Sequence, residues 1–297
     1  MLQWMPAFLK GLFNAVGLAV HTVFWCIPLY FFYGLRCISP KSGILLVHLN
    51  KILLKVGEGW IRSNNLLMKL THQTQWEVTA PENLKLDQSY FIVCNHQTWT
   101  DILLLQKYFL GKIPFIRFFI KKELLGLPFI GLAWLAFDFP IMHRYSKEKI
   151  AKNPHLRGRD ITNTLKACEK YKGYPVTILN FLEGTRFTPS KQQEQSSPYH
   201  HLLKPKSGGF AYVINAMDKR MTNVLDVTIA YPEGRLTFWD FLCGKVHKVI
   251  IKVREYEVPA DLLQGNYAED EEYQLRFRQW VDNIWLEKDQ QLSALLP

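Results

Sequence analysis

Residues 11–35 contain no Asp, Glu, Lys or Arg, and Lys10 and Arg36 flank them. This run exceeds the roughly 20 residues that cross a bilayer as a helix, so it restricts the architecture more than any other feature. Trp25, Tyr30, Phe31, Phe32 and Tyr33 gather toward one end of it, as in an interfacial aromatic belt. His21 and Pro28 interrupt the apolar pattern without removing it. The length of the run and the lack of a small-x-small site argue against a cleaved signal peptide and for an uncleaved membrane helix. Arg36, Lys41, Lys51, Lys55, Arg62 and Lys69 follow the run, whereas only Lys10 precedes it. The positive-inside bias therefore predicts a protein of the cell inner membrane, or an equivalent membrane, with its bulk on the cytoplasmic side.

The remaining chain is long enough, within 297 residues, to bury a sizeable core. A hydrophobic share of 48% with 14% aromatic residues excludes a disordered chain. The net charge of +10 is concentrated: residues 107–172 hold 14 Lys and Arg against 5 Asp and Glu. Residues 255–289 hold 10 acids against 3 bases. A local basic surplus of that size suits anionic partners such as phospholipid headgroups, phosphorylated substrates or nucleic acid. Cys26, Cys37, Cys94, Cys168 and Cys243 form no Cys-x-x-Cys pair, which reads as reduced thiols rather than a zinc site or disulfide framework.

Residues 42–56 (SGILLVHLNKILLKV) read as a helix that either joins the core or lies along the membrane surface. Strands are predicted at 74–80, 89–94, 175–181 and 225–231, and helices at 102–108, 160–171 and 208–217. Residues 113–139 are aromatic-rich and broken by Pro114, Pro128 and Gly131; 187–201 read as polar loop. The acidic, poorly periodic tail from residue 256 is expected to end in an amphipathic helix near 273–286. Strands alternating with helices predict an α/β sheet.

At the junction of the 89–94 strand with the following helix stands CNHQTWTD, residues 94–101. His96 and Asp101 would point about 140° apart on one regular helix. They meet only if His96 lies in the turn and Asp101 in the first helical turn, with Thr98 or Thr100 as cap. The carboxylate could then accept one imidazole N–H and leave the other nitrogen free as a base. With no Ser or Cys nucleophile adjacent, such a pair suits activation of a substrate hydroxyl. A capping Thr beside an incidental His fits the spacing equally well. A second stretch, FLEGTRF at 181–187, also leaves a strand. There Gly184 permits a tight turn, Arg186 offers a planar fork for phosphate, and Glu183 either orders the turn or holds Arg186.

Together these stretches resemble the glycerolipid acyltransferases that esterify lysophospholipids, the lysophosphatidic acid acyltransferase family. Its Asn-His-x-x-x-x-Asp block is matched by Asn95, His96 and Asp101, and its Glu-Gly-Thr-Arg block by Glu183, Gly184, Thr185 and Arg186. FIKKELLGLPFIG (119–131) is similar to the middle block, with Lys121 or Lys122 at its basic position, and LLKPKSGGFAYVI (202–214) to the segment after the third block. FLEGTRFT, KPKSGG and VTIAYPEG lie closest to the long-chain lysophospholipid branch. One departure concerns the last block, usually a Pro flanked by β-branched residues: here it reads Ile229, Ala230, Tyr231, Pro232.

The resemblance implies a single α/β acyltransferase domain with a mixed sheet flanked by helices, preceded by the N-terminal membrane helix. Residues 1–70 would be the membrane helix with its amphipathic segment, and 71–297 the acyltransferase domain with an acidic helical tail. It implies His96 as general base, Asp101 as its orienting partner, and an acceptor site of Asn95, Lys121, Lys122, Glu183, Gly184, Thr185 and Arg186. The acyl donor would be a thioester of coenzyme A or acyl carrier protein, the acceptor a lysophospholipid, with no metal, no resident cofactor and no nucleic-acid partner. A non-enzymatic basic protein docked on anionic membrane would explain the anchor and the charge but not His96, Asp101 and Arg186. A serine hydrolase would need a Gly-x-Ser-x-Gly elbow, which the sequence lacks.

Overall fold

The computed structural model describes residues 2, 4–40, 42–142, 159–217, 219–234 and 236–296. Lys41 and the part of the basic segment that carries Arg144, Lys147, Lys149, Lys152 and Arg157 lie outside the described residues. Helices α1 (Ala7–Ile38) and α2 (Ile44–Thr71) come first, then β1 (Gln75–Thr79), β2 (Tyr90–Cys94) and α3 (Thr100–Phe109). β3 (Ile116–Phe118), β4 (Ile120–Lys121), α4 (Ile130–Ala136) and β5 (Ile141–Met142) follow. Next are α5 (Arg159–Tyr171), β6 (Thr177–Phe181), α6 (Pro189–Glu194) and α7 (Gly208–Met217). The chain ends with β7 (Asn223–Ala230), α8 (Phe238–Leu242), β8 (Lys248–Glu257) and α9 (Glu271–Leu295).

The main sheet has the order β1-β8-β7-β2-β6-β3. β7, β2, β6 and β3 are mutually parallel, whereas β8 pairs antiparallel with β7 and parallel with β1, making the sheet mixed. The central strand β2, Tyr-Phe-Ile-Val-Cys, is buried at every position, as a parallel strand covered on both faces must be. Its alternation sends Phe91 and Val93 toward α5, α7 and α9, and Tyr90, Ile92 and Cys94 toward α2, α3 and α8. On the first face Phe91 stacks on Phe210 at 4.2 Å.

The sequence reading assigned no element to β3, β4, β5, α4, α6, α8 or β8, and it placed the ends of α2 and α9 short. β8 lies in a stretch assigned no strand, because Lys248, Lys252, Arg254, Glu255 and Glu257 dilute its alternation of Val249, Ile251 and Val253. The polar 187–201 loop contains α6, whose N-cap Thr188 accepts from the Lys191 N–H. The terminal helix starts at Glu271 under an Asp270 cap and runs to Leu295, with Tyr273, Phe277, Val281, Ile284, Trp285 and Leu292 buried. Lys288 and Asp289 are also buried, and two charged residues on that face hide its periodicity from a hydropathy reading.

α1 is long and apolar enough to cross a membrane. It is also fastened to the rest of the chain along its length. Asn14 donates to the Leu242 carbonyl at 2.7 Å and accepts from Thr71 at 3.0 Å, and Arg36 pairs with Asp138 at 2.7 Å. Between these ends the α1–α2 contact is so close that a Cβ on Gly59 would lie 2.3 Å from the Trp25 ring. The opposite face leaves Val16, Val20, Val23, Ile27 and Phe31 exposed. Of the two readings of 42–56, α2 supports the core helix: Leu49, Leu53 and Val56 are buried, while Ile44, Leu45 and Val47 are exposed.

α9 is locked to β7 through Lys288, which is fully buried. Its Nζ lies 2.5 Å from Asp226 Oδ1 and donates to the Val227 carbonyl at 2.6 Å. Arg254 approaches the same carboxylate at 2.7 Å. Removing one member of a buried pair leaves a desolvated charge behind, whereas exposed pairs contribute little. Lys288→Ala should therefore cost about 3 kcal/mol in denaturant melts of the detergent-solubilised protein. Lys245→Ala, which breaks an exposed pair with Asp240, should change the midpoint negligibly.

Candidate active site

The register of the central strands decides where the chain leaves the sheet. Cys94 of β2 stands opposite Phe181 of β6 and Val227 of β7, so the segments after β2 and β6 begin side by side, against the last residues of β7. The carboxyl ends of parallel strands are where α/β sheets collect functional groups. Residues 95–101, 182–186 and 229–231 converge there.

Asn95 is fully buried, and its side chain serves β7. The amide donates to the Ile229 carbonyl and accepts from the Ile229 N–H, both at 2.9 Å. Asn95 thus sits behind the site as a clamp rather than on its open face. Asp101, also fully buried, reaches back over its own helical turn. Its Oδ2 accepts from the backbone of Gln97 at 2.7 Å and Thr98 at 3.0 Å, and contacts His96 Nδ1 at 2.8 Å. This carboxylate, rather than Thr98 or Thr100, closes the turn: the Thr98 hydroxyl reaches Thr100 only at 3.5 Å.

The geometry assigns the imidazole tautomer. Asp101 Oδ2 already accepts two N–H groups, so Nδ1 carries the proton and donates. Nε2 then holds the lone pair, and it has no hydrogen-bond partner among the described residues. The ring stacks on Phe181 with centroids 3.9 Å apart, which fixes its plane, and 12% of the side chain stays accessible. A mostly enclosed imidazole with one nitrogen held and one without a partner is equipped to take up a proton.

Glu183 orders its turn and does not hold Arg186. Oε1 accepts from the His96 N–H at 2.7 Å and Oε2 from the Leu203 N–H at 2.9 Å, so this buried carboxyl ties the two motif turns together. Burial pushes the group up to about 8, against the two N–H donors that favour its charged form. Gly184 takes φ +68°, which closes the Phe181–Gly184 turn at low cost only without a Cβ. The Thr185 hydroxyl accepts from Lys191 Nζ at 2.8 Å. Arg186 is exposed, with its guanidinium 5.5 Å from the Trp99 ring centre and no ion pair among the described residues. Lys121 and Lys122 lie on β4 and the 3₁₀ turn after it; both are exposed and make no hydrogen bond to the two motif turns among the described residues.

Beside the imidazole turn opens an apolar cavity of about 760 Å³. Trp99, Ile102 and Leu103 form one wall, Phe118 and Trp134 another, and Trp60 of α2 a third. Sequence reasoning did not single out Trp99, Phe181, Lys191 or Tyr231. The Tyr231 hydroxyl donates to Asp101 Oδ1 at 2.7 Å. The one available signal for it was the unusual wording of the last block, where Tyr231 precedes Pro232.

Comparison with known proteins follows the same lines. A sequence model of the family described as Acyltransferase matches residues 75–232. The 2-acyl-1-lysophosphatidylinositol acyltransferase of Saccharomyces cerevisiae is 26% identical over 243 residues, 66% of this chain and 59% of that protein. The probable 1-acyl-sn-glycerol-3-phosphate acyltransferase 5 of Arabidopsis thaliana is 24% identical over 234 residues, 73% of this chain and 56% of that protein. The chain thus spans less than two thirds of the length of either relative. The crystal structure of the 1-acyl-sn-glycerophosphate (LPA) acyltransferase PlsC from Thermotoga maritima matches with a TM-score of 0.56 over 97% of both chains. At 19% identity that likeness is one of fold.

The raised Glu183 carboxyl has a consequence for stability. Between the ordinary Glu range, about 4.3, and 8 the folded state keeps a proton that the unfolded chain releases. The contribution is fully present below that window and is lost as pH rises through 8. Glu183→Gln cannot titrate, so the melting-temperature difference between wild type and this variant should shrink between about pH 5 and pH 8.5. A difference that stays constant across that range would mean that Glu183 is ionised throughout.

Proposed function

The chain belongs to the glycerolipid acyltransferase family, and from that premise we propose that it moves a fatty acyl chain from an acyl thioester to the free glycerol hydroxyl of a lysophospholipid. Lysophosphatidic acid, converted to phosphatidic acid, is the acceptor this reading favours. The observation that carries it is His96 Nε2, left without a hydrogen-bond partner among the described residues while Asp101 holds Nδ1, in a turn whose Trp99 lines the apolar cavity and lies under the Arg186 guanidinium.

In this reading His96 Nε2 takes the proton from the acceptor hydroxyl, and the oxygen attacks the thioester carbonyl. The C–S bond breaks, and the leaving thiolate recovers the proton from the imidazolium. Transfer is direct, with no acyl-enzyme. Asp101 keeps the proton on Nδ1 and stabilises the imidazolium that forms. Arg186 grips the acceptor phosphate through its planar fork, with Lys121 or Lys122 adding charge. Glu183, Gly184, Thr185 and Asn95 hold the turns from which these groups project. The cavity takes the fatty chain, where each buried CH₂ contributes about 0.8 kcal/mol. The donor carrier is coenzyme A or acyl carrier protein. Residues 1–70 attach the protein to the membrane through the exposed apolar faces of α1 and α2, with 71–297 as the acyltransferase domain on the cytoplasmic side. A second reading keeps the chemistry and changes the acceptor to another lysophospholipid, such as lysophosphatidylglycerol or the lysophosphatidylinositol named for the yeast relative.

Purified protein in mixed micelles, offered a panel of labelled acyl donors and lysophospholipids, tests both readings. His96→Ala should lower turnover by roughly 10²–10⁴-fold. Near-normal turnover in that variant would mean that His96 is not the general base. Arg186→Ala should raise KM for the acceptor about tenfold, with a smaller change in kcat and an unchanged donor KM, because the phosphate is charged in ground and transition states alike. A collapsed kcat with unchanged acceptor KM would instead place Arg186 in the chemical step.

A further inference from the structure

Asp101 is served by two sets of donors. Oδ2 receives the Gln97 and Thr98 N–H groups together with His96 Nδ1. Oδ1 has a single partner among the described residues, the Tyr231 hydroxyl at 2.7 Å. The carboxylate is fully buried and Tyr231 is 4% exposed, so bulk water has no route to take over if the phenol is lost. A phenylalanine would fill the same space with the same apolar ring. The hydroxyl is therefore the part that packing does not demand, and burying it is favourable only through its bond to Asp101.

Tyr231 is itself held by the site. It directly follows β7, and the Asn95 amide grips both backbone groups of Ile229 two residues earlier. Lys288 fixes the same strand end through the Val227 carbonyl. The residue preceding the imidazole thus positions the residue that steadies the imidazole's carboxylate.

We propose that Tyr231 is a positioning residue for acyl transfer: its hydroxyl sets the plane and basicity of the Asp101 carboxylate and, through it, the orientation and proton affinity of His96. This rests on His96 being the general base of the reaction proposed above. The titratable groups around the pair are His96 from the turn, Cys94 from β2, Glu183 after β6 and Lys288 from α9. Burial, reinforced by the Asp101 charge, pushes the Tyr231 phenol well above its usual range. The phenol therefore stays a donor at every working pH. Losing that donor leaves the carboxylate charge less satisfied, so Asp101 holds an imidazolium at His96 more strongly. The base would then become available only at higher pH.

The test is the pH profile of the full-length enzyme in mixed micelles, comparing wild type, His96→Ala and Tyr231→Phe. Wild-type turnover that His96→Ala abolishes secures the underlying reading on its own. Tyr231→Phe should then lower kcat about tenfold, leave both KM values near wild type and move the acidic limb of kcat/KM to higher pH. In an Asp101→Asn background the same change should add little, because the partner it acts through is gone. Unchanged kcat and an unmoved acidic limb, or full multiplication of the two effects, would reduce Tyr231 to packing. If Tyr231→Phe does not fold, 3-fluorotyrosine in place of Tyr231 keeps the ring and strengthens the donor. It should move the acidic limb to lower pH, and an unmoved limb overturns the proposal. Loss of wild-type turnover with every donor and acceptor would instead sink the reaction itself.

Discussion

The pair of hydrogen bonds between the Asn95 amide and the Ile229 backbone determines how this site is assembled. They join the end of β2 to the end of β7 just where both chains leave the sheet. Without that clamp two independent loops would have to find each other. With it, His96 is carried on one side and Tyr231 on the other, at a separation set by strand pairing. Buried side-chain bonds to backbone are geometrically strict, since an unpaired amide or carbonyl there is costly. That strictness is what places the side chains around it reproducibly.

Around the clamp, the buried polar groups behave as one network. Glu183 bonds to the backbone of His96 and of Leu203 and so spans the two motif turns. Asp101 gathers its own turn, the imidazole and the phenol. Lys288 steadies β7 from the opposite face. Each of these groups is almost fully buried, and each has partners. The arrangement resembles a rigid frame from which two less buried groups, the His96 ring and Arg186, face outward.

The frame is set against an apolar surround. α1 and α2 pack on the domain and also form walls of the cavity that begins at Trp99. The same helices expose a long apolar face on their other side. One pair of helices thus serves both the proposed lipid site and the proposed membrane attachment, a shared use that ties access of a fatty chain to the surface on which the protein would sit.

Much of this was legible from residue order, for physical reasons. A strand covered on both faces is mostly apolar, so 89–94 and 175–181 were readable, and the chemistry-bearing residues stood out because polar groups at a strand's end have no packing purpose. β8 and the last turns of α9 were not, because charged residues with tertiary partners interrupted their periodicity: Arg254 with Asp226 and Glu287, Lys288 with Asp226. Thr98 and Thr100 were the natural caps on local propensity, yet the helix starts after Trp99 without a side-chain cap, and the Asp101 carboxylate instead gathers the N–H groups of Gln97 and Thr98 in the turn before it. An ionised acceptor bonds backbone N–H more strongly than a hydroxyl does.

By itself, then, the sequence determined the α/β class, the two motif turns and the identity of His96, Asp101, Glu183 and Arg186, since these follow from local pattern and from residue chemistry. Only the tertiary structure decided what each side chain bonds. Glu183 turned inward to backbone rather than toward Arg186, and Asn95 turned to β7. Tyr231 reached Asp101 across 130 positions of sequence. Such pairings depend on strand register and on which groups lose water together, and neither quantity is written in any local stretch of residues.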